Sequence, residues 1–390
     1  MKEAKSPPSC KAEHFGLVSD RMSQAECQPP GSPRLSPFGW INLASKIIYI
    51  VFTLIGKAIF AIFHRPAGTA SWAWHVKLEG MRSFQSGLTM VEIQHVRRST
   101  NSRCKKFARE QRLQTSTVHV PDGFTGHWFG SPDASRVVVY FHGGGYTAPL
   151  NCEQLLVMQE CIKGLEDVSG FVLSYALASE QANPYPLQLQ QAVAMIDYLI
   201  NDVKKKPENI ILASDSAGAH LTLGVLLHIS HPHPKIPPIN NLQGLLRGAL
   251  LISPWVTFDV SAPSMHSNEG KDTLRRSSLA YWAKNFLDGA EVDAWNTPLS
   301  APSEWWADLK VEDILVTYGE DELMRDDITT FCATLQAHHS RITTKMFPEE
   351  FHGYAIISHF LGRKSACESE RFYVQWVRDI LEPSNTQKLN

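Results

Sequence analysis

The stretch Ile210-Ile-Leu-Ala-Ser-Asp-Ser216-Ala-Gly-Ala-His220 constrains the fold more than any other part of the chain. It runs from apolar, strand-favouring residues through a tight small-residue turn into a helix-compatible segment that starts at Ala217. A serine at the tip of such a turn is held where a base can take its proton and a substrate can reach it. Small residues are needed two before and two after that serine, because a strained turn presses those positions against neighbouring backbone. Ser214-Asp-Ser-Ala-Gly218 meets the requirement. It differs from the G-x-S-x-G nucleophile elbow only in carrying serine at the first glycine.

A second motif gives the serine a context. Val137-Val-Val-Tyr140 is a buried-strand run, and Phe141-His-Gly-Gly-Gly-Tyr146 follows it. Three successive glycines let the backbone approach a ligand and aim N–H groups at it. A phosphate loop would need a lysine and a serine or threonine next, and Thr147-Ala-Pro supplies neither pattern. An HGGG run ahead of a serine elbow is the oxyanion-hole arrangement of lipases and esterases.

Length and charge narrow the remaining classes. With 390 residues, 43% hydrophobic and 19% charged, the chain suits one large domain, or a domain with an appendage. A net charge of −2 makes no electrostatic case for nucleic acid. Seven scattered cysteines, with no C-x-x-C, fit neither a disulfide framework nor a zinc site.

Residues 1–37 are polar and rich in Pro, Ser and Glu, and are expected to be disordered. Residues 38–64 are apolar and long enough to cross a bilayer, yet Lys46 and Lys57 interrupt them. At helical spacing these two lysines fall within about 20° of each other, in line with Asn42, Thr53 and His64. A narrow polar stripe on an apolar helix fits a transmembrane anchor with snorkelling lysines, a helix lying in the membrane interface, or a cap helix packed on the domain. Arg65, Lys77 and Arg82 outnumber Arg34 across the segment, which by the positive-inside rule would put the catalytic part on the cytosolic side, with the lumenal side left open.

Residues 65–113 read as helical, with a basic run of Arg97, Arg98, Arg103, Lys105 and Lys106 expected to face solvent or anionic headgroups. Strands are expected at Thr115–Val120, Gly126–Phe129, Val137–Tyr140, Phe171–Tyr175, Gly248–Ser253, Ile314–Tyr318 and Thr344–Phe347, besides the one leading into Ser216. Helices fall between and after them, at Asn151–Leu165, Leu187–Val203 and Glu368–Leu381. The alternation predicts an α/β fold with a mostly parallel, doubly wound sheet. Residues 256–308, with Trp282, Trp295, Trp305 and Trp306, break the rhythm and are long enough for a cap.

A serine nucleophile needs a base, and the base an orienting acid. Phe351-His352-Gly follows the last strand, which makes His352 the base. His338 and His339 lie in a helical run and read as surface; His220, one turn beyond Ser216, reads as structural. The acid lies in Tyr318-Gly-Glu-Asp-Glu-Leu-Met-Arg-Asp-Asp327, directly after a strand, where Asp321 and Glu322 both qualify. Asp326 and Asp327 start the next helix, where acids suit the dipole.

From about Thr115 to Leu381 the chain resembles the hormone-sensitive-lipase-like esterases of the α/β-hydrolase fold. The resemblance rests on His142-Gly-Gly-Gly, on Ser214-Asp-Ser-Ala-Gly, and on Ser174-Tyr-Ala-Leu-Ala-Ser-Glu180 with Tyr185-Pro186, which is similar to the family's D-Y-R-L-A-P-E…P stretch. Ser174, Ala176 and Ser179 depart from that consensus, as Ser214 does from the elbow. Gly319 to Asp327 resembles the G-x-x-E-x-L-x-D-D form and so favours Glu322, whereas the commoner G-x-D-P-L form would favour Asp321. The apolar N-terminal segment followed by a helix-rich region also resembles the fungal steryl acetyl hydrolase branch.

The resemblance implies an α/β-hydrolase domain over residues 65–390, capped by about 65–113 and 256–308. It implies cleavage of short-chain, acetyl-type esters of a hydrophobic alcohol such as a sterol, with Ser216 as nucleophile and Gly143, Gly144 and Ala217 as oxyanion donors. No metal or organic cofactor is called for. The expected setting is a membrane, that of the endoplasmic reticulum, reached through residues 38–64; a cytoplasmic location is the alternative. An amidase or lactonase would share the triad. A non-catalytic receptor on this fold typically lacks the histidine, which is present here.

Overall fold

The computed structural model describes residues 34–63, 71–120 and 123–382. Within them one eight-stranded sheet carries the molecule: β1 (Thr115–His119), β2 (Thr125–Phe129), β3 (Arg136–Phe141), β4 (Val168–Ser174), β5 (Ile210–Asp215), β6 (Leu246–Ile252), β7 (Val311–Gly319) and β8 (Ile342–Phe347). The order is β1-β2-β4-β3-β5-β6-β7-β8; β1–β2 and β2–β4 pair antiparallel and the rest parallel. β7 begins three residues before the apolar run suggested. Glu312 and Asp313 sit near its start because Arg247 and Arg341 pair with them.

Four helices precede the sheet: α1 (Pro37–Phe63), α2 (Trp72–Gly87), α3 (Met90–Val96) and α4 (Thr100–Gln111). The others are α5 (Cys152–Ile162), α6 (Leu187–Asn201), α7 (Ala217–Ser230), α8 (Pro263–Ser267), α9 (Arg276–Leu287), α10 (Arg325–His338), α11 (Tyr354–Phe360) and α12 (Glu368–Leu381). A strand points successive side chains to opposite faces. On β3, Val137, Val139 and Phe141 therefore pack with α6, α7 and α10, and Val138 and Tyr140 with α4, α5 and α12. The near-continuous apolar reading of β3, β5 and β6 follows from this two-sided burial. In register, Phe141 lies beside Ser214 and Asp215 beside Ile252, so the carboxyl ends of β3, β5 and β6 share one edge. The loops carrying the elbow and the glycines leave from that edge.

α1 runs against the usual amphipathic pattern. Its polar residues face the protein: Asn42 and Lys46 reach Glu92 at 3.3 and 2.8 Å, and Lys57 reaches Glu79 at 2.7 Å. Close approach to α2 is possible because Gly80 lies against Leu54, and Gly87 against Ile50, where a Cβ would come within 2.9 Å of Cδ1. Phe38, Ile41, Ile48, Tyr49, Phe52 and Ile59 stand outward and exposed. The polar stripe is thus the face that docks on α2 and α3. The expected tail lies, up to residue 33, outside the described residues, as does His64.

Candidate active site

Ser216 joins β5 to α7 with φ 53° and ψ −121°. A non-glycine residue with positive φ is strained by roughly 1–3 kcal/mol and persists only when its surroundings force it. Here the Ser216 N–H donates to the Ile252 carbonyl at 2.9 Å. A Cβ on Gly218 would run into the Phe141 carbonyl, which explains the small residue two positions on. Ser214, the departure from glycine two positions earlier, is buried and satisfied. Its hydroxyl donates to the Leu250 carbonyl at 3.0 Å and accepts from Thr222 at 2.8 Å.

Ser216 Oγ lies 2.8 Å from His352 Nε2. His352 Nδ1 lies 3.2 Å from Glu322 Oε2, which assigns the ring proton to Nδ1. Glu322 is fully buried, and its other oxygen accepts from Ser253 Oγ and the Gly319 N–H, both at 2.6 Å. Asp321, the alternative acid, turns away to pair with Lys271 at 2.8 Å. Burial alone would lower the affinity of His352 for a proton. The hydrogen bond and charge of Glu322, with the charges of Asp272 and Asp215, outweigh it, and the imidazole pKa is raised.

Two further buried carboxylates hold this arrangement from behind. Asp215 accepts from Tyr140 Oη at 2.7 Å, the Gly143 N–H at 2.9 Å and Gln154 Nε2 at 3.0 Å. Asp272 accepts from the N–H groups of Leu323 at 2.6 Å and His352 at 3.3 Å. Burial raises the pKa of both. Arg82 of α2 clamps the loop before it, donating to the carbonyls of Asp272 and Gly270 while pairing with Glu79 at 2.5 Å.

The bond to Asp215 corrects one expectation. The Gly143 N–H is spent on that carboxylate and is not free to meet an oxyanion. The N–H groups of Gly144 and Gly145 have no acceptor among the described residues, and that of Ala217 opens α7, where no helical partner exists. Gly144 and Gly145 have φ of 116° and 60°, and a side chain at Gly145 would strike Trp282. Gly145 lies within the motif but is hidden by counting: which two of three glycines face the serine depends on where Asp215 sits. His220 is structural, held by Tyr146 at 2.6 Å and the Asn296 carbonyl at 2.8 Å.

These groups open into a cavity of about 480 Å³. Its walls come from α2, α9 and α11, through Met81, Phe84, Trp282, Ile356, Ile357 and Phe360. Of the four tryptophans in residues 256–308, Trp282 lines it; Trp306 packs on Phe331, and Trp305 stacks on His231. Glu180, from the altered consensus stretch, ties the start of α3 to Tyr281 of α9. Among the described residues no group of three or more His, Cys, Asp or Glu is gathered as metal ligands.

Comparison with known proteins fits this geometry. A family model described as steryl acetyl hydrolase matches residues 76–356. The chain belongs to the steryl acetyl hydrolase family. Steryl acetyl hydrolase 1 of Saccharomyces cerevisiae is 27% identical to this family member over 218 residues, covering 53% of this chain and 48% of the yeast protein. The match thus spans about half the length of that relative. An acetyl esterase of Salmonella choleraesuis is 25% identical over 262 residues, covering 64% and 76% of the two chains. Among solved structures, a bacterial esterase of the hormone-sensitive lipase family superposes with a TM-score of 0.59 at 19% identity, over 80% of this chain and all of that one. Esterase LipW of Mycobacterium marinum gives 0.62 at 19% identity, over 75% and 91%. The fold of this family member is the α/β-hydrolase fold.

Proposed function

We propose that this chain is a serine esterase that removes short acyl groups, acetyl above all, from a hydrophobic alcohol of sterol type. The observation that carries the reading is the unbroken line Ser216–His352–Glu322 at hydrogen-bond distances, opening into an apolar cavity beside unspent N–H groups. Ser216 attacks the ester carbonyl as His352 takes its proton, and Glu322 holds the imidazole and steadies its charge. The N–H groups of Gly144, Gly145 and Ala217 receive the oxyanion, each donor contributing roughly 3 kcal/mol. His352 then protonates the leaving alcohol, and water, activated by the same ring, releases the acid. The names of the family and of its yeast and bacterial relatives support acetyl esters as the substrate class.

The reading extends to a membrane. α1 is long and apolar enough to span one, yet both its lysines are engaged with α2 and α3. Spanning with those pairs intact would draw Glu79, Glu92 and Arg82 into hydrocarbon. An in-plane position avoids this and lets the outward Ile and Phe side chains enter the interface, each fully buried one contributing about 1.5–3 kcal/mol.

Hydrolysis of nitrophenyl acetate, butyrate and octanoate by the full chain, beside Ser216→Ala, tests the reaction. Turnover that falls with acyl length and vanishes in the variant is expected. A folded protein with no turnover above the variant would overturn it.

A further inference from the structure

Three cations line the catalytic cavity with no ion pair within 4.0 Å among the described residues; Lys77 is turned to the Leu361 carbonyl, and the other two are arginines. Arg97, which caps α3, and Arg103, on α4, both reach the wall that also carries Ser216 and His352. Arg97 donates to the side-chain oxygen of Asn151, a neutral amide. Arg103 has a sulfur contact to Cys152 at 4.0 Å, and its buried Nε has no acceptor among the described residues. Neither forms an ion pair within 4.0 Å among the described residues. Arg82 has Glu79, Arg247 has Glu312 and Asp313, and Arg325 has Asp326, while Arg136 and Arg378, away from the cavity, are held by backbone carbonyls.

Two like charges, partly withdrawn from water and facing one another, are costly to hold unless something balances them. Burial, and then the charge of Arg103, pulls the Arg97 guanidinium down to about 10, and the carboxylate of Glu153 offsets only part of this. Asp215 also touches the cavity, but its oxygens are occupied by Tyr140, Gly143 and Gln154. Asn151 is the N-cap of α5, so the positive end of that helix points to the same corner. A planar guanidinium fork suits a carboxylate, sulfate or phosphate.

We propose that Arg97 and Arg103 form an anion subsite, and that the preferred substrate is an amphiphilic acetyl ester bearing an acidic group on its alcohol part. This rests on the esterase reading for its substrate and adds a charged anchor to a cavity whose α2, α9 and α11 walls are largely apolar. Orientation is the gain: the acid group at the arginines fixes which end of an elongated apolar molecule meets Ser216.

Acetyl lithocholate, a steroid acid, and its methyl ester supply the test. With the full chain, kcat/KM for the acid should exceed that for the methyl ester by at least roughly tenfold. The ratio should fall to near one in Arg97→Gln and Arg103→Gln, and to an intermediate value in Arg103→Lys, which keeps the charge but loses the fork. Because each ratio compares two esters on one preparation, partial misfolding of a variant does not distort it. Binding to Ser216→Ala by calorimetry separates the two claims. Tighter binding of the acid with no turnover of either ester by the unsubstituted chain would sink the esterase reading and leave the subsite standing. Equal binding and equal hydrolysis would overturn the subsite. Sodium sulfate covers the remaining source of an anion: binding as tight as that of the steroid acid would mean a detached ion is taken, and the claim about the substrate would fall.

Discussion

α7 and α1 are both apolar helices, and they sit in opposite surroundings. In α7 every residue from Ala217 to His228 is buried, and its polar groups are satisfied inside: His220 by Tyr146 and Asn296, Thr222 by Ser214 and Gly218. In α1 only Leu43, Ile50 and Ala61 are buried among 27 residues, and its polar groups are the ones that dock. Hydrophobicity says that each helix must leave water; the few polar residues decide what each is held against. For α7 the answer is the sheet, through packing. For α1 it is α2 and α3, through ion pairs and the packing of Leu43 and Ile50 against Leu88 and Ile93, with the rest of its apolar side left over for another apolar phase.

The contrast can be broken at several points. The largest effect is expected at the head of α7. Ser216→Ala should lower kcat by at least roughly 10⁴-fold while the chain still unfolds at an unchanged temperature and still floats with vesicles. Gly218→Ala should instead fail as a fold, because a methyl there meets backbone, and soluble yield is the readout. Next comes the acid. Glu322→Gln should cost about 10³- to 10⁴-fold in kcat, and Asp321→Asn less than about twofold. Equal losses would show that the choice between adjacent carboxylates is wrong.

On α1 the same logic gives smaller, separable effects. Ile48→Asp with Phe52→Asp should reduce flotation with liposomes by about tenfold or more and leave turnover of a water-soluble ester unchanged. If that pair abolished turnover instead, α1 would belong with the core. Lys57→Met should loosen the helix without releasing the protein from vesicles, seen as faster amide exchange along α1.

Acidity sharpens the comparison from both sides. In the proposed mechanism His352 acts as base only when neutral. With its pKa raised, kcat/KM should climb with pH through a point above the ordinary histidine value of 6.5, and a pH profile locates it. Burial would raise the Glu79 carboxyl, but its hydrogen bonds to Lys57 and Arg82 win and hold it at about 2. A carboxylate depressed on folding contributes stability above its ordinary pKa of 4.5 and loses it as pH falls toward 2. α1 should therefore loosen in that acid window, which exchange measurements follow.

Much of the candidate site's local geometry was legible in the sequence because its constraints are local. A strained serine needs small neighbours, and three glycines after a strand need no partner to be recognised. What stayed hidden depends on atoms brought together from afar. The step from Gly143 to Gly145 requires knowing that Asp215 captures the first N–H. Glu322 and Asp321 differ by one residue, and Lys271, 50 positions earlier, decides which turns outward. Of the basic run before β1, expected to face solvent or headgroups, Arg98 and Lys105 do stand exposed. Arg97 and Arg103 turn into the cavity, because α3 and α4 pack against the HGGG loop, a contact that charge patterning cannot foresee. The polar stripe on α1 is plain from helical spacing; its direction needs Glu79 and Glu92.

Cutting away the greasy first helix is the obvious route to a preparation that stays in solution without detergent. The line Lys57–Glu79–Arg82–Asp272–His352 makes that cut a chemical change as well as a shortening. Glu79 and Glu92 would each lose a cation, the Arg82 clamp would face a less balanced carboxylate, and the loop behind the histidine would be held by one fewer tie. Sluggish hydrolysis by such a trimmed protein would then report on damaged scaffolding, and restoring the missing ammonium groups, as with a detached peptide carrying Lys46 and Lys57, would be the fair control.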